Sequence, residues 1–201
     1  MDFIFLTGAS AVGKSTLAKG LFEKLKGVNI EQNGVPEFAI PPYILDEGEY
    51  EEKVCFGDLL HQVEYFQKLG LKNLIVSDFD DLRTRELPVI FKGYRFIIIR
   101  LFSSDPEQIK VQMIHRAKTS GGLFAPEGVE KLNALIMSRP LLPNEVTLDI
   151  RGKTPEQVLA DALSLIEDFT PLTNYDYTLA DEKNYHSWVR SRGLNWEWTV
   201  K

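Results

Sequence analysis

The sequence predicts an α/β fold in which helices cover both faces of a mainly parallel sheet, and three observations lead there. A glycine-containing loop joins an apolar run to a helix near the start of the chain. Three more short apolar runs follow at 73–77, 95–102 and 145–150. Each is flanked by ten to sixteen residues of helical spacing, and such alternation is the mark of a parallel sheet under helices.

Residues 2–7 read as a strand buried on both faces, because Phe3-Ile4-Phe5-Leu6 runs apolar without a polar alternate. The run breaks at a turn before a helix over 14–26. Residues 27–43, with Gly34, Pro36, Pro41 and Pro42, resist assignment and read as an irregular connection. Strands at 73–77 and 95–102 follow. A helix start is signalled by Ser104-Asp105-Pro106-Glu107-Gln108, where a capping side chain precedes proline at the first helical position. Residues 118–128, with Gly121, Gly122, Pro126 and Gly128, read as a second irregular connection. After the strand at 145–150, Thr154-Pro155-Glu156-Gln157 repeats the helix-start pattern. Val158, Leu159, Ala162, Leu163, Leu165 and Ile166 then supply the stripe that packs this helix on the sheet.

A chain of 201 residues, 44% hydrophobic and 26% charged, builds one core of ordinary size. Its net charge of −6 and lack of a long basic run disfavour nucleic acid as a partner. The single cysteine, Cys55, makes no internal disulfide, and the N-terminal stretch has no basic segment followed by a long apolar one. A cytoplasmic setting without a membrane span is the expectation. The last 31 residues differ from the core: they hold all three tryptophans, Trp188, Trp196 and Trp198, with Tyr175, Tyr177 and Tyr185. So much aromatic surface is expected to pack on the domain or on a partner, and a homodimer is one such use.

Gly8-Ala9-Ser10-Ala11-Val12-Gly13-Lys14-Ser15 fits G-x-x-x-x-G-K-[ST], and it stands between a strand and a helix, the context that gives the pattern its meaning. Glycines let successive backbone N–H groups turn towards an anion, and the helix N-terminus adds its own unsatisfied donors. Gly8 through Thr16 are thus expected to hold the phosphates of a nucleotide, with Lys14 on the β- and γ-phosphates and Ser15 on magnesium. Asp78, after Leu74-Ile75-Val76-Ser77, is the best-placed acid to share the metal. No Asn-Lys-x-Asp guanine signature is present, which favours ATP.

GASAVGKST, the alternating strands and the late strand leading into Asp149-Ile150-Arg151-Gly152-Lys153-Thr154-Pro155 resemble the nucleoside and small-molecule kinases of the P-loop class. The resemblance covers 1–170 and implies a three-layer P-loop NTPase fold, with a five-stranded sheet ordered 2-3-1-4-5. It also implies a lid near 116–125 that begins at Arg116, and a base contact at Arg151, Gly152 and Lys153. Asp46, in Tyr43-Ile44-Leu45-Asp46-Glu47, is similar to the acid that ends the second strand in hydroxyl-phosphorylating relatives. Val76-Ser77-Asp78-Phe79-Asp80-Asp81-Leu82-Arg83-Thr84-Arg85 resembles the strand-then-arginine segment of gluconate kinases, although the Cys-Ser-Ala-Leu-Lys of those enzymes is replaced. The shikimate, adenylate and antibiotic phosphotransferase branches stay open.

Phosphoryl transfer to a hydroxyl needs positioning, charge neutralisation and a carboxylate to take the proton. Asp46 is the favoured base, with Asp78, Asp80 and Asp81 as the other cluster. Arg116 is expected to face the transferring group, with Lys118 and Arg139 in reserve, while Arg83 and Arg85 are suited to gripping an anionic acceptor with Asp78. His61, His115 and His186 are isolated and read as packing residues. The expected function is an ATP- and magnesium-dependent kinase of a small hydroxyl or phosphate acceptor. The alternatives are a nucleotide-dependent switch with slow ATPase activity and a nucleic-acid end kinase.

Overall fold

The computed structural model describes residues 1–34, 36–44, 47–120 and 128–179. Five strands are present among them: β1 (Phe3–Gly8), β2 (Val28–Glu31), β3 (Leu74–Ser77), β4 (Phe96–Phe102) and β5 (Glu145–Asp149). The helices are α1 (Lys14–Leu25), α2 (Glu47–Lys68), α3 (Leu87–Ile90), α4 (Pro106–Ser120), α5 (Val129–Ser138) and α6 (Pro155–Asp168). All strand pairs are parallel and the order is β2-β3-β1-β4-β5, the expected 2-3-1-4-5.

Side-chain alternation in β1 builds the three layers. Ile4 and Leu6 join a core with Leu17 and Leu21 of α1, Met113 of α4, Ile136 of α5 and Ala162 of α6. Phe3 and Phe5 point the other way, onto Phe56, Leu59 and Val63 of α2 and Leu87 of α3. Both faces are covered, so the strand shows no polar alternate in sequence. The aromatic side is locked by ring contacts, with Phe91 4.7 Å from Phe3 and 4.8 Å from Phe5 between centroids.

Helix starts follow the caps read from the sequence. Thr154 accepts from the Gln157 N–H at 3.3 Å while the Gln157 side chain accepts from the Thr154 N–H at 2.9 Å, a reciprocal box with Pro155 at the first turn. At α4, Asp105 accepts from the Glu107 N–H at 3.1 Å.

Two expectations need correction. The stretch 27–43 is not wholly irregular, because Val28–Glu31 forms edge strand β2 and pairs with β3 in register Glu31↔Ser77. Only Ile30 of that strand is buried, so four residues carry too little apolar pattern to announce a strand. It follows that the second strand ends at Glu31 and not at Asp46, which lies outside the described residues just before α2.

Candidate active site

Register places the carboxyl ends of β2, β3 and β1 on one edge of the sheet, and at β1 the chain direction of successive additions reverses, from β3 on one side to β4 on the other. Open parallel sheets bind ligands at such a crevice. The loop over residues 8–13 leaves β1 there.

Its backbone is shaped for an anion. Gly8 has φ 142°, and a Cβ on it would lie 2.3 Å from the Leu101 carbonyl oxygen, so only glycine fits against β4. Ala11 (φ 64°) and Gly13 (φ 96°) are left-handed, which turns neighbouring N–H groups to the same side. Gly13 is the N-cap of α1 and no side chain caps it; the first turn of α1 also carries no acid, so its open N–H groups and positive dipole end face the loop. Ala9 and Val12 are buried and anchor the loop, while Ser10, Ser15 and Thr16 retain exposure. Lys14 Nζ folds back to donate to the Gly8 and Ala9 carbonyls, both at 3.0 Å. Burial holds its pKa below the ordinary lysine value; Asp78, Asp81 and Asp80 oppose that shift and Arg116 adds to it.

Those causes also say which groups converge on the loop. Asp78 follows β3 with a left-handed φ of 69°. Burial raises its carboxyl above the usual range, Lys14 and Arg116 pull it back, and Glu31 pushes it further. Asp78 and Arg116 are thus near enough for their charges to act on Lys14, and Glu31, which sequence reasoning missed, acts in turn on Asp78. Its signal was hidden with β2 itself: it is the acid that ends the second strand, the place assigned to Asp46.

Asp80 caps the short turn Asp81–Arg85 by accepting from the Leu82 N–H at 2.8 Å. Burial pushes it up to about 7, against the opposing Leu82 bond and with help from Glu52 and Asp81. Asp81 accepts from Thr7 Oγ1 at 2.6 Å and from Arg139 at 3.2 Å. Arg139 continues to Glu145 at 2.8 Å, and Glu145 holds Arg100 of β4 at 2.9 and 3.0 Å. This chain of charges ties the turn after β3 to the start of β5. Arg83 is gripped by Glu52 and Glu86, both at 2.6 Å, and lies over the Phe56 ring. The Arg85 carbonyl accepts from Tyr177 Oη at 3.0 Å, and Tyr175 Oη donates to Pro88, so the chain beyond α6 straps across this turn. The tryptophans lie outside the described residues.

On the other side of the loop, a cavity of about 410 Å³ is walled by Ala11, Val12 and Gly13, by Thr16 and Leu17 of α1, by Val111, Gln112 and His115 of α4, and by Ile150, Lys153, Pro155 and Val158 around the start of α6. Lys153 therefore sits where a base contact was expected. Arg151 and Gly152 form the exposed turn beside it, held by the Asp149 carboxylate and by Gln108. Arg116 lies in the last turns of α4, which takes in 116–120 of the expected lid over 116–125; the rest, 121–125, is outside the described residues. None of the helices described is long and apolar enough to cross a membrane.

No family model and no curated protein matches the sequence. Solved structures do match the fold. A sugar kinase from Janibacter sp. HTCC2649 is 19% identical with a TM-score of 0.57, covering 83% of this chain and 95% of that one. Shikimate kinase from Acinetobacter baumannii in complex with shikimate is 17% identical with a TM-score of 0.53, covering 83% and 93%. Deoxyadenosine kinase from M. mycoides with bound dATP is 14% identical with a TM-score of 0.54, covering 84% and 100%.

Proposed function

We propose that this chain, whose fold is that of the P-loop kinases, transfers the γ-phosphoryl group of ATP to a hydroxyl group on a small molecule. The observation that carries the reading is the meeting of an uncapped helix N-terminus, a left-handed loop and Lys14 with Asp78, Glu31 and Arg116. Backbone binding of an anion alone needs no carboxylates and no arginine whose charges act at the loop. The three similar structures take their names from a sugar, shikimate and a deoxynucleoside, all hydroxyl-bearing molecules.

In this reading the loop N–H groups and the start of α1 bind the phosphates, and Lys14 exchanges its two carbonyl partners for phosphate oxygens. Ser15 and Asp78 fit magnesium, since a hydroxyl and a carboxylate are the hard oxygen donors it takes beside waters and phosphates. When bound, the ion neutralises charge on the β- and γ-phosphates. Arg116 neutralises the moving group. Of the two acids at the strand ends, Asp78 is taken up by the metal, so Glu31 at the end of β2 is the carboxylate left to take the acceptor proton. The cavity against Lys153 takes the nucleoside.

The pairing of Arg83 with Glu52 and Glu86 uses up a cation offered for an anionic acceptor, and favours a neutral, hydroxylated one. The net charge of −6 disfavours nucleic-acid ends. The test is ADP release from magnesium-ATP across sugars, sugar acids, polyols, nucleosides, nucleoside monophosphates and hydroxyl-bearing antibiotics. An acceptor-stimulated rate that is lost in Lys14→Ala supports the kinase. Slow hydrolysis indifferent to every acceptor would support a nucleotide switch in its place.

A further inference from the structure

We infer that Gln112 is the residue that reads the nucleobase, through a hydrogen bond to the 6-amino group of adenine. The inference rests on the nucleotide site proposed above and adds a specificity determinant to it.

Three residues on α4 stand one turn apart, Gln108, Gln112 and Arg116, and the 3.6-residue period puts them in a row along one side of the helix. The first is fully employed. Gln108 accepts from Ser103 Oγ at 3.1 Å and from the Gly152 N–H at 3.2 Å, and donates to the Ile150 carbonyl at 3.3 Å, so it clamps the turn that walls the cavity. The last lies beside the phosphate loop, where its charge acts on Lys14 and Asp78. Gln112 sits between them, in the cavity wall.

Its carbonyl oxygen Oε1 is shut away from solvent and has no hydrogen-bond partner. A buried acceptor left without a donor is costly and needs an explanation, and of the described residues with such an atom Gln112 is the one that lines this cavity. In the proposed complex the amide turns into the cavity that Gln112 already lines. The rest of the wall is mostly apolar, and Lys153 there is already paired with Asp161 at 2.8 Å. A flat heterocycle with one amino group suits these surroundings. A glutamine amide accepts from the 6-amino group of adenine while donating to an adjacent ring nitrogen, a two-point match.

The experiment compares the affinities of ATP and of purine riboside 5′-triphosphate, which lacks only the 6-amino group, for the wild-type chain, Gln112→Leu and Gln112→Glu. The ratio of the two affinities is the readout, so a general change in binding cancels. Wild type is expected to prefer ATP by about tenfold, the worth of one well-placed hydrogen bond. Gln112→Leu is expected to bring the ratio within about twofold of unity, and Gln112→Glu, which keeps an acceptor, to preserve most of it. Equal binding of the two nucleotides by wild type, or an unchanged preference in Gln112→Leu, overturns the role of Gln112 while leaving the phosphate site intact. Failure of both nucleotides and of tripolyphosphate to bind overturns the phosphate site and this inference together.

Discussion

Arg100 and Glu145 form a two-point ion pair between β4 and β5, at 2.9 and 3.0 Å, with side chains exposed by 1% and 0%. Glu145 also holds Arg139, so two buried guanidinium groups share it, and Asp81 at 3.2 Å from Arg139 supplies the second negative charge. Removing one member of a buried pair leaves the other charge without compensation. Glu145→Ala is expected to lose about 3–5 kcal/mol of stability, read from urea unfolding. A loss under about 1 kcal/mol would mean that the network is not the strut described here.

Glycine is required at two loop positions for different reasons. Gly8→Ala forces a methyl group into the Leu101 carbonyl, so it should abolish nucleotide binding and lower the unfolding midpoint. Gly13→Ala meets no atom within 4 Å and suffers only the left-handed backbone, at about 1–2 kcal/mol. Titration with magnesium-ATP and thermal unfolding of both variants check the ranking; a milder effect at Gly8 than at Gly13 contradicts it.

Asp80 predicts a pH effect on stability. Its carboxyl is raised from 3.8 to about 7 by burial, so through that window the folded chain holds a proton that the unfolded chain has lost. Stability from this group is full at the acid end, falls as pH rises through the window and is level above it. Asp80→Asn keeps the cap acceptor and has no proton to lose. It should match wild type near pH 4 and exceed it by about 1–3 kcal/mol at pH 8. Urea unfolding at the two pH values decides, and a difference independent of pH would contradict the burial of this carboxyl.

If Glu31 takes the acceptor proton, Glu31→Gln lowers kcat by about 10²–10⁴-fold. Asp78→Asn removes a metal ligand and should instead raise the magnesium concentration needed for half-maximal rate. A kcat in Glu31→Gln within about twofold of wild type would contradict its role as base.

Legibility in the sequence followed the strength of the local signal. The phosphate loop was readable because its glycines meet steric demands that no other residue meets, and because a buried strand and a helix bracket it. β1, β4 and the caps of α4 and α6 were readable for similar reasons. β2 was not: it is a four-residue edge strand with one buried side chain, and Glu31 was lost with it. Arg100 in the middle of the run Phe96–Phe102 was a visible anomaly, a charge inside a strand, but its partners Glu145 and Arg139 lie about 40 residues on, beyond any local pattern. Gln112 carries no sequence signal at all; only its orphaned oxygen beside a cavity marks it.

The most direct test of the phosphate site is calorimetric titration of magnesium-ATP into the wild-type chain and Lys14→Ala, with circular dichroism confirming that both are folded. Saturable one-to-one binding by wild type, weakened by about 30-fold or more in the variant, is the predicted result, since a charged phosphate contact of this kind is worth about 2 kcal/mol or more. Equal affinities, or no binding by wild type, would contradict the assignment of Gly8 through Ser15 as the site that holds the nucleotide.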